Sequence, residues 1–202
     1  MRKTTCSVQS EEICSDCKIK EELKCRFNQK DLFFFMGSAF IFMIPAVIGV
    51  ILSSYGWWLI GWFAFWFIFF EFWEIRILCS HCPFYAEDVK TIHCIANYGS
   101  VKLWKYHPEP MNKSEKIQLM IGFLIFGGYP LLFMMIGGQW VWFIISLAAV
   151  GFFFFRLIIT TCNKCVNFSC PLNRVPKNLV DEYLKQNPAM REDWEKVGYK
   201  LD

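Results

Sequence analysis

The sequence predicts an all-α integral membrane protein, four transmembrane helices forming two parallel-repeat hairpins with a cysteine-rich cytoplasmic face. Three observations predict it. Of the 202 residues 55% are hydrophobic, with 22 Phe and 9 Trp, too apolar and aromatic a composition for a soluble domain. The apolar residues come in blocks, since all 21 Lys and Arg, all 18 Asp and Glu and all 3 His lie outside 32–70 and 117–155. Each block runs into a Cys-x-x-Cys pair, Cys79 with Cys82 and Cys162 with Cys165.

Residues 1–31 are polar and charged, so the first apolar run begins too late and continues too long for a cleaved signal peptide, and no export signal is expected. Cys6, Cys14, Cys17 and Cys25 follow the spacing C-x7-C-x2-C-x7-C, which supplies four ligands for one tetrahedral ion. This segment has no apolar core of its own, so a metal staple is expected there, with zinc the first choice.

The first hairpin is expected over 32–78. Residues 32–52 carry no charge, and a span needs roughly 20 residues at 1.5 Å rise each. Ser53, Ser54, Tyr55 and Gly56 turn the chain, and a second helix follows over 57–78. The loop 79–116 holds Cys79, Cys82, Cys94 and every histidine, His81, His93 and His107. Its stretch 102–110 mixes Trp104 and Tyr106 with lysines, as a segment at headgroup level would.

The second hairpin is expected over 117–160, with helices at 117–136 and 140–160 joined by Gly137, Gly138 and Gln139. The remainder, 161–202, is a cysteine-rich segment followed by amphipathic helices. Leu179, Val180, Tyr183 and Leu184 share one helical face. Asn187 and Pro188 supply an N-cap and a first-turn proline, Met190, Trp194 and Val197 share the next face, and Gly198 suits a C′ position. These helices are expected to cover the cysteine loops or the lipid surface.

The turns at 53–56 and 137–139 contain no Lys or Arg, whereas the flanking segments hold all of them. The positive-inside bias then places both termini and all ten cysteines on the cytoplasmic side of the inner membrane. The halves also align at a constant offset of 83: Trp57 with Trp140, Cys79 with Cys162, and Cys82 with Cys165. Pro45 and Pro130 fall at comparable depth in the other two helices. Such interruptions point to a pocket in mid-membrane, and Trp57, Trp62, Pro45 and Pro130 are the residues expected to line it around a quinone-type carrier. Packing kinks explain the same prolines without a pocket.

No cysteine lies inside a predicted span. In a reducing compartment thiol pairs point to metal ligation or thiol chemistry rather than to structural disulfides. Besides the amino-terminal four, Cys79, Cys82, Cys162, Cys165 and His81 are candidate metal ligands, with Cys94 and Cys170 a candidate reactive pair. One cluster with mixed ligands, including His81 or His93, is the alternative. The run C-x2-C-x4-C-P at 162–171 resembles in part the bacterial ferredoxin pattern, so an iron–sulfur cluster and zinc are both candidates at the membrane edge.

Glu71 and Glu74, one turn apart, and Arg76 and Arg156 stand where the hydrocarbon ends. Glu71, the deepest acid, is the candidate to relay a proton or to bind a metal beneath the cysteine site. A salt bridge to Arg156, or arginines reaching to the interface, would explain the same charges structurally. No phosphate-binding glycine loop or serine elbow is present, and the basic residues form no stripe for nucleic acid.

Three functions compete. The first is a redox protein passing electrons between a metal–thiolate centre and a lipid-soluble carrier. The second is a zinc-stabilised platform that docks a soluble partner, and the third a soft-metal transporter or sensor. Four-helix thiol oxidoreductases that reduce quinones are similar in outline to the first, although their thiols work on the oxidising side of the membrane.

Overall fold

In the computed structural model, Ser7, Cys14 and residues 17–202 are described. Among them the chain is all-helical, and its only β pairing is an isolated bridge between Thr91 and Val101. Three helical stretches are long and apolar enough to cross a membrane: Gln29–His81, Lys113–Ile136 and Trp140–Cys162. In the last, only 6% of the most apolar window is buried within the protein, so its apolar side chains face outward, where lipid rather than protein would cover them.

The first stretch contains α1 (Gln29–Val50), α2 (Leu59–Ile68) and α3 (Glu74–Ile77). Straight, its 53 residues would be about 80 Å long, far beyond a hydrocarbon core of about 30 Å. It is not straight. A π-turn at Ile51–Tyr55 contains Ser54 at φ 68°, a left-handed conformation rare outside glycine, and beyond it Trp62 lies edge-to-face on Phe42 of α1, ring centroids 6.0 Å apart.

The second stretch is α4 (Lys113–Ile136). Asn112 and Glu115 close a reciprocal capping box at its start. Gly137 and Gly138 end it, Gly138 at φ 70°. The third stretch is α5 (Trp140–Leu157), extended by a π-turn at Ile158–Cys162. Pro45 and Pro130 lie inside α1 and α4, which run on through them. The two turns touch: a Cβ on Gly137 would come within 2.5 Å of the Ser53 Cβ, and the Gln139 side chain donates to the Leu52 carbonyl at 3.1 Å.

Phe42, Ala46, Val50, Trp62, Met134 and Ala149 form the core among these helices. A second core lies outside it, where α6 (Lys177–Lys185) and α7 (Pro188–Lys196) contribute Val180, Tyr183, Leu184, Met190 and Trp194. Ile19 and Leu23 of the amino-terminal segment and Val166 of the second cysteine loop complete it. The amino-terminal segment thus shares a core with the tail. Asn187 and Pro188 do start α7, and Gly198, at φ 94°, ends it in a Schellman motif: its N–H bonds to Glu195 O and that of Tyr199 to Trp194 O, both 3.0 Å.

Candidate metal centre

The two cysteine loops leave the membrane-type helices side by side. In the first, α3 runs into a 3₁₀ turn over Cys79–His81, and Cys82 with Pro83 opens another. Cys94 is held on the following loop by the Thr91–Val101 bridge and by the Ile92 N–H on Ser100 O at 2.9 Å. In the second, Cys162 closes the π-turn after α5, and Cys165 and Cys170 follow on turns braced by Asn173, whose side-chain amide donates to the carbonyls of Cys165 (2.8 Å) and Asn167 (3.0 Å). Asn167 joins the loops, its amide donating to the Leu78 carbonyl at 3.0 Å. All six cysteines are unbridged thiols.

Backbone amides near four of the six sulfurs favour the charged form: those of Phe84 for Cys82, Ala96 and Asn97 for Cys94, Asn167 for Cys165, and Leu172 and Asn173 for Cys170.

Burial opposes them. It pushes Cys82 well up and raises Cys94, and takes Cys165 to about 12 and Cys170 to about 11. Three would-be thiolates are further disfavoured by others: Cys82 by Cys94, Cys165 and Cys170, Cys165 by Cys170 and Cys94, and Cys170 by Cys162. Sulfurs from both loops therefore share one poorly solvated region, and a cation placed among them would reverse the balance. Among the described residues no three His, Cys, Asp or Glu side chains converge as a single-ion site.

Cys79 differs. Its sulfur accepts from the Asn97 amide at 3.0 Å, and the same nitrogen reaches Glu74 Oε2 at 3.2 Å. Glu74, 4% exposed, is therefore the acid beside the cysteines, while Glu71 sits half-buried in the π-turn Phe69–Trp73. His81 is buried but turned away: Nδ1 lies 2.7 Å from Glu109 O and Nε2 3.5 Å from Glu115 Oε2. The arginines rest on aromatic rings, Arg76 over Trp73 and Trp104, and Arg156 over Phe34 at 4.4 Å and Phe152.

Cys14, Cys17 and Cys25 line one open cleft of about 930 Å³, in which Arg26 donates to the Cys14 sulfur at 3.3 Å and the Cys17 thiol to Gln186 at 3.4 Å. Cys6 lies outside the described residues. The proposed carrier residues are dispersed. Trp62 is fully buried, stacked on Phe126 and donating to its carbonyl at 2.9 Å, whereas Trp57 is 85% exposed. Pro130 is buried in α4 and Pro45 half-buried in α1.

Sequence reasoning passed over Asn97, Asn167 and Asn173, which brace this site. Each follows a cysteine by two or three residues, yet their side chains act elsewhere, Asn97 on the Cys79 sulfur and Asn167 and Asn173 on backbone carbonyls, so spacing alone did not single them out. No protein family, curated protein or solved structure matches this chain.

Proposed function

We propose that the chain is a membrane-embedded metal–thiolate protein that passes electrons between a centre at the membrane edge and a lipid-soluble carrier of quinone type. The observation that carries this reading is the meeting of six unbridged, buried or half-buried cysteines on two separate loops that Asn167 ties together. Thiols shielded from water in this way are suited to hold a cationic centre, whose charge would offset the cost of their ionisation. Aromatic side chains crowd the helices leading to it, Phe65, Phe69, Phe70 and Phe123 among them, and would face a flat apolar carrier.

The same reading takes the chain across the membrane four times as two hairpins. The contact between Phe42 and Trp62 and the meeting of the turns at Ser53 and Gly137 support it. With the positive-inside bias, both termini and the cysteines face the cytoplasm of a cell whose inner membrane holds the protein. The amino-terminal cysteines form a separate structural zinc site.

Anaerobic purification followed by metal and sulfide analysis and a visible spectrum tests the proposal. Iron with acid-labile sulfide, and a broad absorbance that bleaches on reduction, is the expected result. A colourless protein with zinc at the membrane edge overturns the redox reading in favour of the docking platform. The core shared by the amino-terminal segment, Val166 and α6–α7 favours that platform as the second reading.

A further inference from the structure

Arg156 carries a charge that nothing around it neutralises. It stands in the last turn of α5, about 9 Å short of Cys162 at 1.5 Å per residue. Among the described residues it forms neither the ion pair with Glu71 or Glu74 that the sequence allows nor any other, and its Nε is buried without a hydrogen-bond partner. The guanidinium lies 4.4 Å from the centre of the Phe34 ring and 5.6 Å from that of Phe152. Aromatic faces attract a cation but offer its N–H groups no oxygen. A guanidinium this close to hydrocarbon is costly until an anion meets it.

The place for that anion is a cleft between α1 and α5. The two helices pack in opposite directions, Phe35 edge-to-face on Phe153 at 5.9 Å and Gly49 against Trp142, so the start of α1 meets the end of α5. Phe34, Ser38, Arg156, Thr160 and Thr161 line the cleft there, and no acidic residue does. Ser38 and Thr160 donate their hydroxyl hydrogens to the carbonyls of Phe34 (2.9 Å) and Arg156 (2.7 Å). Thr161 is held only by a 3.5 Å contact with Thr160, so its hydroxyl is available. The π-turn Ile158–Cys162 has a functional consequence here. Residues five apart point about 140° from each other in an α-helix, and the wider turn brings Thr161 round to the side of Arg156.

We propose that this cleft binds the phosphate of an anionic bilayer phospholipid, Arg156 holding its oxygens and Thr161 donating a further hydrogen bond. The site requires the helices to lie in a bilayer and is independent of any metal. A guanidinium presents paired N–H groups that match two phosphate oxygens, which a lysine would not. Lipid is the occupant because of what surrounds the cleft: Phe33, Phe152 and Phe155 are exposed beside it, on helices whose apolar faces the protein leaves uncovered. The acyl chains would lie along those rings while the phosphate enters between α1 and α5. With one cation and no acid, the cleft suits a headgroup of net negative charge.

The full chain, purified in mild detergent, is titrated with phosphatidylglycerol and the bound lipid counted by native mass spectrometry. One tightly held lipid per chain is expected. Arg156→Gln should weaken it by about tenfold or more and Thr161→Val by about threefold, as loss of charge-assisted and neutral hydrogen bonds respectively. Arg191→Gln removes the same charge from α7, outside the cleft, and should bind as the unchanged chain does. Undiminished binding by Arg156→Gln, or equal loss in Arg191→Gln, overturns the site. Inorganic phosphate in large excess should not displace the lipid; displacement would make the occupant a soluble anion and overturn the lipid assignment. A dimer that Arg156→Gln dissociates would overturn it too, in favour of a carboxylate from a second copy. Should the variants fail to fold, cross-linking of the unchanged chain decides. Phosphatidylglycerol with a diazirine on its headgroup should label peptides from 29–38 and 153–162, and labelling confined to other segments overturns the site.

Discussion

The two cysteine-bearing loops reach one place by different means. The first draws its third cysteine, Cys94, from a loop braced by the Thr91–Val101 bridge, and it sets a buried carboxyl, Glu74, beside Cys79. The second is a compact run in which one side chain, Asn173, braces the turns, and its nearby charge is positive: Lys24, whose N–H bonds to the Lys164 carbonyl at 2.7 Å, favours the Cys165 thiolate. Alignment of Cys79 with Cys162 and Cys82 with Cys165 therefore conceals an electrical asymmetry. A repeated spacing need not give equivalent sulfurs, because neighbours outside the pattern set the electrostatic surroundings of each.

The largest expected effect lies in the compact loop. Asn173→Ala removes donations to two carbonyls and frees the Val175 N–H, which the Asn173 Oδ1 accepts at 2.9 Å. A loss of about 3 kcal/mol is expected, on the basis of about 1 kcal/mol net per bond, read as a lower denaturation midpoint in detergent. Asn97→Ala should cost about 2 kcal/mol, since it strips the shared donor from Glu74 and Cys79. In the double variant with Glu74→Ala the penalty should shrink; full additivity in that cycle would deny the coupling.

Opposite charges sharpen the comparison further. If the centre is redox-active, Glu74→Gln should raise its midpoint potential, and Lys24→Met should lower it by less because Lys24 is more solvated. Shifts on the order of tens of millivolts are expected for one unit charge at an effective dielectric near 20, measured by spectroelectrochemical titration. Shifts of the same sign would erase the asymmetry.

The smallest effect is in the tail. Burial works against the Asp181 charge, but bonds from Tyr199 (2.8 Å), Lys177 (3.0 Å) and the Asp202 N–H (3.3 Å) outweigh it and hold the carboxyl below its usual range. A depressed carboxyl stabilises the fold above the unfolded value near 3.9 and loses that contribution as pH falls through the folded value. Asp181→Asn should flatten the acid side of the stability profile, as thermal unfolding from pH 6 to pH 3 would show.

Much of the helical plan was legible in the sequence, because charge exclusion and turn chemistry act locally. Gly137 and Gly138 end α4 where expected, and Gly198 takes the left-handed turn after α7. The first turn was less legible in form: the segment Ser53 to Gly56 is a π-turn and a 3₁₀ turn continuous with the helices, and the left-handed residue is Ser54 rather than Gly56. Glu71 and Glu74 show why the site was harder. Depth alone favoured Glu71, but the π-turn Phe69–Trp73 inserts an extra residue into the helical register, and Glu74 is the one that meets Asn97. Apolar patterning carries no signal for such a turn. Nor does it say which of two tryptophans faces inward, and the chain buries Trp62 while leaving Trp57 exposed.

The core that joins Ile19 and Leu23 to Val180, Tyr183, Leu184 and Trp194 closes over the second cysteine loop from both flanks. Its contacts span very long stretches of chain: Lys164 Nζ reaches the Glu21 carbonyl at 3.1 Å and the Trp194 indole the Pro108 carbonyl at 3.1 Å. Contacts of such high sequence separation are the last to repay their loop-closure entropy. Ribosomal synthesis delivers α7 after every cysteine, so the loops around Cys82 and Cys165 emerge before their lid exists. On the metal–thiolate reading proposed above, the thiols would be open to metal in that interval, before the tail folds down.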